Sequence, residues 1–465
     1  MHQFTILASC LIVTALSAQD AAPIKQPDVI PGKIAITAQP FPPITEIVAR
    51  TRPDRPVYGL YTWAGEFAKL RDEIRKVGWK QLRFGGPWDD ATMRMVVEDD
   101  IEVMKTLGGN RRDRFTSDDE FVAAFIHEAE EFLVRYGPGG SFFMDNPKLS
   151  TRPITAVEIW NEPNFQYMIP DREPRAEVER EREALYTKLL PAAYRAIKAK
   201  WPTVRVVGFA AGGASHADTR FVEHVLQKMA QPMSRSLDVF STHPYYDPAP
   251  PEADLVRPWG NDSAAKVMKE LRAIMNSPAT PVWYTEVGWP ITKADGGFFP
   301  TKPNDVMVTP QLQAAYVCRM YALALRLGVE RVHIMFATDT DNFNAGFFLR
   351  DNSWRPSAHA VQTMIKLLPF PKLVSAIHDG EDGWYAWNFV ADQGTPTNVL
   401  LMPVTMAFNV AGPKHVELPW STSAATVIDM LGVSRHVAAV PAAGGTWTLP
   451  LDIGPCPVYL IRTQP

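Results

Sequence analysis

Two glutamates in similar local sequences are the residues of this chain best suited to chemistry. Glu162 follows an apolar, β-branched run over residues 154–159 and precedes Pro163, which cannot donate to a β-ladder. Glu286 also ends an apolar run, and a Gly-Trp-Pro turn follows it. Two carboxyl groups at the ends of different strands can act as acid/base and nucleophile in glycoside hydrolysis. The structural alternative is a strand-end glutamate that simply pairs with a nearby cation.

The neighbours of Glu162 suit it to the acid role. Trp160 and Phe165 flank it in the sequence. Burial among apolar side chains raises the pKa of a carboxyl group, as a general acid at neutral pH requires. Glu286 is then expected to act as the anion beneath the anomeric carbon.

A long alternation of strand and helix patterns must position these glutamates. Apolar runs predict strands at 57–60, 81–85, 103–107, 154–159, 204–209, 237–242, 281–286 and 331–336. Amphipathic patterns predict helices near 65–77, 91–98, 118–136, 176–200, 311–327 and 357–368, with Ser117 capping the third and Gly137 ending it. Eight alternations favour a TIM (β/α)8 barrel over an open sheet. In such a barrel, the carboxyl ends of the strands form the catalytic face.

The flanking regions predict four parts in the chain. The apolar run within residues 1–18 reads as a secretory signal peptide, and a lipoprotein signal at Cys10 is the alternative. Residues 19–55 are rich in proline and form an extended lead-in, followed by the barrel over 56–369. Short β-like runs separated by turns predict a small C-terminal β-sandwich over 370–465, with a structural rather than sugar-binding role.

Composition excludes several functional classes. The chain is 46% hydrophobic and 21% charged, with a net charge of −4 and no basic tract. Nucleic acid and membrane surfaces are therefore not expected as partners. No metal or nucleotide motif is present, so we expect neither metal nor cofactor. Cys318 and Cys456 either remain separate thiols or form one bridge, and the oligomeric state stays open.

The sequence around the two glutamates resembles a known group of enzymes. Trp160-Asn161-Glu162-Pro163-Asn164, followed by the strand-end pair Thr285-Glu286, resembles the retaining glycoside hydrolases of clan A. The motif Glu-Ile-Trp-Asn-Glu-Pro-Asn is most similar to the sequences of family 39 and its relatives. The resemblance implies that Glu162 is the acid/base after strand four and Glu286 the nucleophile after strand seven. It also implies that Asn161 donates a hydrogen bond to the sugar 2-hydroxyl group.

Three further residues match the pattern of the clan. Arg83, at the end of strand two, matches an arginine near the nucleophile, and a fixed cation there would keep Glu286 ionised. His243 and Tyr245 match a His-x-Tyr motif on strand six, whose tyrosine bonds the nucleophile. The alternatives are a surface salt bridge for Arg83 and a purely structural role for His243.

The remaining candidates are substrate contacts. Asn164, Trp289, Trp259 and Trp88 are placed near the predicted strand ends, and core packing is the alternative for each tryptophan. Clan members often carry a tryptophan near the end of strand eight as a platform for the sugar. This chain has Phe336 in that stretch, and it can serve as a substitute platform.

These observations together predict a secreted or periplasmic retaining glycosidase. Its partner is a carbohydrate, with β-linked bonds of a polysaccharide or oligosaccharide as the expected target. A transglycosylase with the same site is one alternative, and a carbohydrate-binding pseudoenzyme is another. Every expected catalytic position carries the residue type that catalysis requires, which disfavours the interpretation as a pseudoenzyme.

Overall fold

The computed structural model describes residues 34–48, 56–213, 216–255, 262–291, 308–340, 344–391 and 403–462. The signal peptide predicted over residues 1–18, much of the lead-in, Trp259 and a β-like run at 398–401 lie outside these ranges. Within the lead-in, strand β1 (Ile34–Ala35) pairs with β8 (Asp254–Leu255), and helix α1 is Ile44–Val48.

Eight parallel strands close into a barrel. They are β2 (Tyr58–Trp63), β3 (Gln81–Gly85), β4 (Glu102–Leu107), β5 (Ala156–Ile159), β6 (Arg205–Gly212), β7 (Val239–His243), β9 (Val282–Val287) and β10 (Arg331–Met335). The helices of this region are α2 (Ala64–Val77), α3 (Asp90–Glu98), α4 (Asp118–Tyr136), α5 (Ser141–Asp145), α6 (Arg175–Lys200), α7 (His216–Lys228), α8 (Ala264–Met275), α9 (Pro310–Arg326) and α10 (Pro356–Leu367). The predicted TIM barrel is confirmed, with strand ends shifted by a few residues. Helices α5, α7 and α8 are not among those predicted.

Local chemistry explains why the best-predicted helix begins and ends where it does. The Ser117 side chain accepts a hydrogen bond from the backbone N–H of Glu120 at 3.1 Å, and Gly137 follows the last helical residue of α4. Acidic residues in the first turn are favourable at a helix N-terminus. The buried face carries Phe121, Phe125, Ala129 and Leu133 at helical spacing, in keeping with the amphipathic pattern of this stretch.

Charged and aromatic side chains fill the barrel at the amino ends of its strands. The guanidinium groups of Arg205 and Arg331 both contact the Trp283 ring, at 4.7 and 4.1 Å from its centroid. Both arginines donate to one carboxylate oxygen of Glu102, at 2.9 and 2.7 Å. Met104 and neighbouring apolar side chains pack above them. The barrel therefore has a packed floor.

Antiparallel strands form the C-terminal region. A six-stranded sheet contains β11 (Pro371–Asp379), β12 (Trp384–Ala391), β13 (Val404–Asn409), β15 (Ala424–Asp429), β16 (Ser434–Ala438) and β19 (Val458–Arg462). A three-stranded sheet contains β14 (Lys414–Trp420), β17 (Val440–Pro441) and β18 (Trp447–Ile453). Apolar residues of both sheets share one core. The predicted antiparallel β-region is confirmed, and the predicted division after residue 369 falls between α10 and β11.

The larger sheet packs on barrel helix α9. Arg319 of this helix is fully buried, pairs with Glu252 and donates to the Pro455 carbonyl at 3.2 Å. Arg326, also on α9, pairs with Asp379 of β11 at 2.6 Å. One continuous hydrophobic cluster includes barrel residues and aromatic residues of β12 and β13.

Two smaller findings complete the description. Cys318 and Cys456 are both buried thiols and are not joined in a disulfide. Within the described part of the chain, each helix is too short or too polar to cross a membrane.

Candidate active site

Glu162 lies in a sharp turn directly after β5. Its backbone φ of 46° and the φ of 70° at Trp160 lie in the left-handed region, which residues other than glycine rarely adopt. The Glu162 N–H donates to the Ala210 carbonyl of β6 at 3.1 Å, which holds the strained backbone in place. The side chain is only 6% exposed. The turn therefore presents one buried carboxyl group at the carboxyl end of the barrel.

Asn164 fixes this turn to the end of β6. Its side chain accepts from the Gly212 N–H at 3.0 Å and donates to the Gly212 carbonyl at 2.9 Å. A Cβ atom on Gly212 would come within 2.6 Å of Glu162 Oε1 and 2.5 Å of the Phe165 ring. The structure thus places Asn164 as a residue that positions Glu162, with its amide engaged by backbone groups.

Glu286 lies near the end of β9 and is held from two sides. Arg83 Nη1 donates to its Oε2 at 2.8 Å, and the Tyr245 hydroxyl donates to its Oε1. The side chain is 7% exposed. These two donors leave a carboxylate with a fixed orientation.

The two glutamates face each other across His243. One carboxylate oxygen from each and a nitrogen of His243 lie within 4.8 Å of one another. Three such groups could also surround a cation. However, Arg83 already places a positive charge 2.8 Å from Glu286, and His243 Nδ1 is hydrogen-bonded to Glu162 at 3.0 Å. Hydrogen bonds within the protein therefore already engage each of these three side chains.

Arg83 also binds a third glutamate that the sequence analysis did not single out. Its Nε and Nη2 atoms donate to Glu158 Oε2 at 2.9 and 2.7 Å, and the Thr106 hydroxyl donates to the same oxygen at 2.9 Å. Burial would raise the pKa of Glu158, but the charge of Arg83 and the hydrogen bonds that it donates outweigh this effect and lower the pKa. A glutamate inside an apolar parallel strand requires such a partner, and this is the signal that could have identified it.

The same arginine orients Asn161. Nη2 of Arg83 donates to Asn161 Oδ1 at 2.6 Å. The amide oxygen of Asn161 is therefore occupied, and its Nδ2 hydrogens are left to donate elsewhere. That orientation suits a donor to a sugar hydroxyl group, the role that the resemblance implies.

Burial sets the protonation of Glu162 and His243, which are hydrogen-bonded to each other. It raises the pKa of Glu162 to about 7, an effect that the charge of Arg83 opposes and that of Glu158 reinforces. Burial also lowers the pKa of His243 to about 4. His243 Nε2 lies 3.1 Å from the Thr285 hydroxyl. Near neutral pH the histidine is uncharged, and Glu162 exchanges its proton.

Aromatic side chains form one wall beside Glu286. Phe336 stacks on Trp63 with ring centroids 4.7 Å apart and lies 5.2 Å from the Tyr61 ring. Met335 and Tyr245 join this cluster. Phe336 is only 7% exposed, whereas Trp63 is partly exposed. The sequence analysis missed Tyr61 and Trp63, although Trp63 ends a barrel strand.

Two of the tryptophan candidates pack in or against the hydrophobic core. Trp289 is fully buried, and its Nε1–H donates to the Ala249 carbonyl at 2.9 Å. This burial favours core packing, the alternative given above for each tryptophan, over a substrate contact by Trp289. Trp88 packs its edge against Phe84 with ring centroids 4.9 Å apart, which also fits core packing.

Comparisons with known proteins identify the fold. No family model and no curated protein sequence matches the chain. A family 39 glycoside hydrolase from Bacteroides cellulosilyticus superposes with a TM-score of 0.58 at 18% identity, over 88% of this chain and 82% of that one. A bifunctional glucanase-xylanase protein from a metagenome library gives 0.55 at 12% identity, over 93% and 99%. A glucosidase from Croceicoccus marinus gives 0.52 at 14% identity, over 88% and 96%. At these identities the likeness establishes a shared fold, so the predicted resemblance to family 39 and its clan is confirmed at that level.

Proposed function

We propose that this chain is a retaining glycoside hydrolase that cleaves β-linked bonds in a polysaccharide or oligosaccharide. The observation that carries the proposal is the approach of the Glu162 and Glu286 carboxylate oxygens to within 4.8 Å. Retaining enzymes hold their two carboxyl groups about 5–5.5 Å apart, whereas inverting enzymes leave about 6.5–9.5 Å for a water molecule. The spacing supports direct attack by one carboxylate.

The contacts of each glutamate assign the two steps. Glu162, protonated near neutral pH, gives its proton to the glycosidic oxygen while Glu286 attacks the anomeric carbon. The glycosidic bond breaks, the first sugar leaves as an alcohol, and an ester joins Glu286 to the second sugar. Glu162, now ionised, takes a proton from water, whose oxygen attacks the anomeric carbon and releases Glu286. Two inversions leave the anomeric configuration unchanged.

Arg83 and Tyr245 assist by holding Glu286 in the attacking orientation. The Asn161 amide donates to the sugar 2-hydroxyl group, and Phe336 and Trp63 offer an aromatic wall to the ring. The named activities of the structural neighbours, a glucosidase and a glucanase-xylanase, support glucans and xylans as the first substrates to try. Secretion or export to the periplasm, suggested by residues 1–18, is part of the same proposal.

Digestion of a panel of polysaccharides with identification of the products tests the activity. NMR of the first product anomer tests the stereochemistry, and release of the inverted anomer would overturn the retaining mechanism. Steady release of reducing ends also distinguishes an enzyme from a pseudoenzyme that only binds glycans.

Variants of the two glutamates test the assignment of roles. Glu162→Ala should still react in the first step with substrates that have good leaving groups, because these need little protonation. Azide should then restore turnover and give a glycosyl azide with the original configuration. Glu286→Ala should be nearly inactive on every substrate, and any rescue by azide should give the opposite anomer. The reverse pattern would mean that the roles are exchanged.

A further inference from the structure

The segments that follow β7 and β9 meet at two points. At the first, the Tyr245 hydroxyl donates to the Glu286 carboxylate. At the second, the Trp289 indole N–H donates to the Ala249 carbonyl at 2.9 Å. Ala249 lies four residues after Tyr245 in the chain. Trp289 lies three residues after Glu286. The indole therefore joins the same two segments that carry the tyrosine and the nucleophile.

A turn connects the Ala249 end of this contact to Tyr245. The Ala249 N–H donates to the Tyr246 carbonyl at 2.9 Å, which closes the turn. Tyr246 is fully buried and is the chain neighbour of Tyr245. Because the turn is short and hydrogen-bonded, a shift of Ala249 is passed to Tyr245 within a few residues.

Trp289 itself is fixed by helix α9. The Gln313 side-chain N–H group donates to the Trp289 carbonyl at 3.0 Å and to the Ala345 carbonyl at 3.0 Å. The Trp289 ring packs edge-on against Tyr316, with ring centroids 5.8 Å apart. Trp289, Gln313 and Tyr316 are all buried. With its own position fixed, the indole acts as a constraint on Ala249, whose buried carbonyl is costly to leave without a donor.

We propose that Trp289 is a positioning residue, whose indole N–H holds the loop after β7 so that the Tyr245 hydroxyl meets Glu286. The inference rests on the proposed function, in which Tyr245 orients the attacking carboxylate. It gives the Gly-Trp-Pro turn after Glu286 a role that does not require contact with the substrate.

Trp289→Phe tests this role, because it keeps an apolar ring and removes the N–H donor. The substrate is an aryl glycoside with a good leaving group, made from the glycone sugar that the polysaccharide panel identifies. Its kcat/KM reports the attack by Glu286 and needs little help from an acid. We expect kcat/KM to fall about ten-fold, less than the 10²-fold that a misplacement of about 1 Å can cost.

A double-mutant cycle shows whether the effect passes through Tyr245. Tyr245→Phe should itself lower kcat/KM, because Glu286 loses a hydrogen-bond donor. Adding Trp289→Phe to that variant should cost little more, since the contact that the indole maintains is already absent. A tryptophan that only stabilises the fold would cost the same in both backgrounds.

Two further variants complete the test. Trp420→Phe is the matched control, because the Trp420 indole is also buried and donates to the Ala424 carbonyl at 3.1 Å, within the C-terminal sheets. It should leave kcat/KM unchanged in both backgrounds. Gln313→Met leaves the indole in place and removes the amide that holds the Trp289 main chain. It should again cost less in the Tyr245→Phe background, and it serves as the test if Trp289→Phe does not fold.

Two results would overturn the inference. One is an unchanged kcat/KM in Trp289→Phe. The other is an equal fold loss with and without the Tyr245 hydroxyl, which would assign Trp289 to general packing. A wild-type protein that cleaves no glycoside would instead overturn the proposed function, and this inference with it.

Discussion

At the scale of single residues, the proton on Glu162 should set the upper pH limit of activity. Burial raises its pKa to about 7, so the acid form needed for the first step is present below pH 7 and lost above it. We expect kcat/KM for a natural glycan to fall as the pH rises through about 7. An aryl glycoside with a good leaving group should show little of this fall, because it needs no acid. The same alkaline fall with both substrates would show that another group titrates.

Arg83 should be essential to stability as well as to turnover. It is fully buried and bonds the carboxylates of Glu158 and Glu286. Arg83→Met would leave both of them without their cation, and removing one partner of a buried pair costs about 3–5 kcal/mol. Urea unfolding measures the loss. Arg175→Met is the control, since Arg175 makes an exposed pair with Glu179, and such pairs contribute about 0–1 kcal/mol. Equal losses in the two variants would contradict the account.

At the scale of elements, the contact between the β5 turn and the end of β6 positions the acid. A methyl group on Gly212 would overlap Glu162 Oε1, so Gly212→Ala should displace this carboxyl group. A misplacement of about 1 Å can cost on the order of 10²-fold in rate. We expect that loss for substrates with poor leaving groups and a much smaller one for good leaving groups. Gly65→Ala, in open space on α2, is the control. Comparable losses on both kinds of substrate would rule out a specific effect on the acid.

Much of this architecture could be predicted from the sequence because each element carries its own pattern. Buried parallel strands are apolar runs, and the glutamates that end two of them had to meet at the same face of a barrel. Other features depend on how separate elements align. The pairing of Glu158 with Arg83 depends on contact across the barrel, and the burial of Trp289 depends on packing against Tyr316 of α9. Periodicity along the chain contains no information about either contact.

At the scale of the whole molecule, the barrel and the C-terminal sheets should unfold together. Their shared hydrophobic cluster and the buried pairs of Arg319 and Arg326 join them through α9. We expect one transition in scanning calorimetry, and an insoluble product when the chain ends near residue 369. Substitution of His415, exposed on β14, should leave turnover intact. Two well-separated transitions would show that the sheets fold independently.

The buried thiols offer a check on this packing. Burial raises the pKa of both Cys318 and Cys456 to about 12, so neither should react with iodoacetamide at pH 8 in the folded protein. After denaturation without a reductant, mass spectrometry should find both alkylated. A pair that stays unlabelled would instead indicate a disulfide between the barrel and the C-terminal sheets.

The packed floor of Trp283, Arg205, Arg331 and Glu102 affects where substrate and products can pass. A barrel closed below lets molecules enter and leave at the upper face, where the loops after β4 and β5 lie. In the proposed reaction, the departing sugar and the incoming water then use the same face of the barrel. In the proposed retaining mechanism the first sugar leaves before water attacks, which gives ping-pong kinetics, and an added alcohol competes with water for the ester on Glu286. Methanol should therefore divert part of the product into a methyl glycoside.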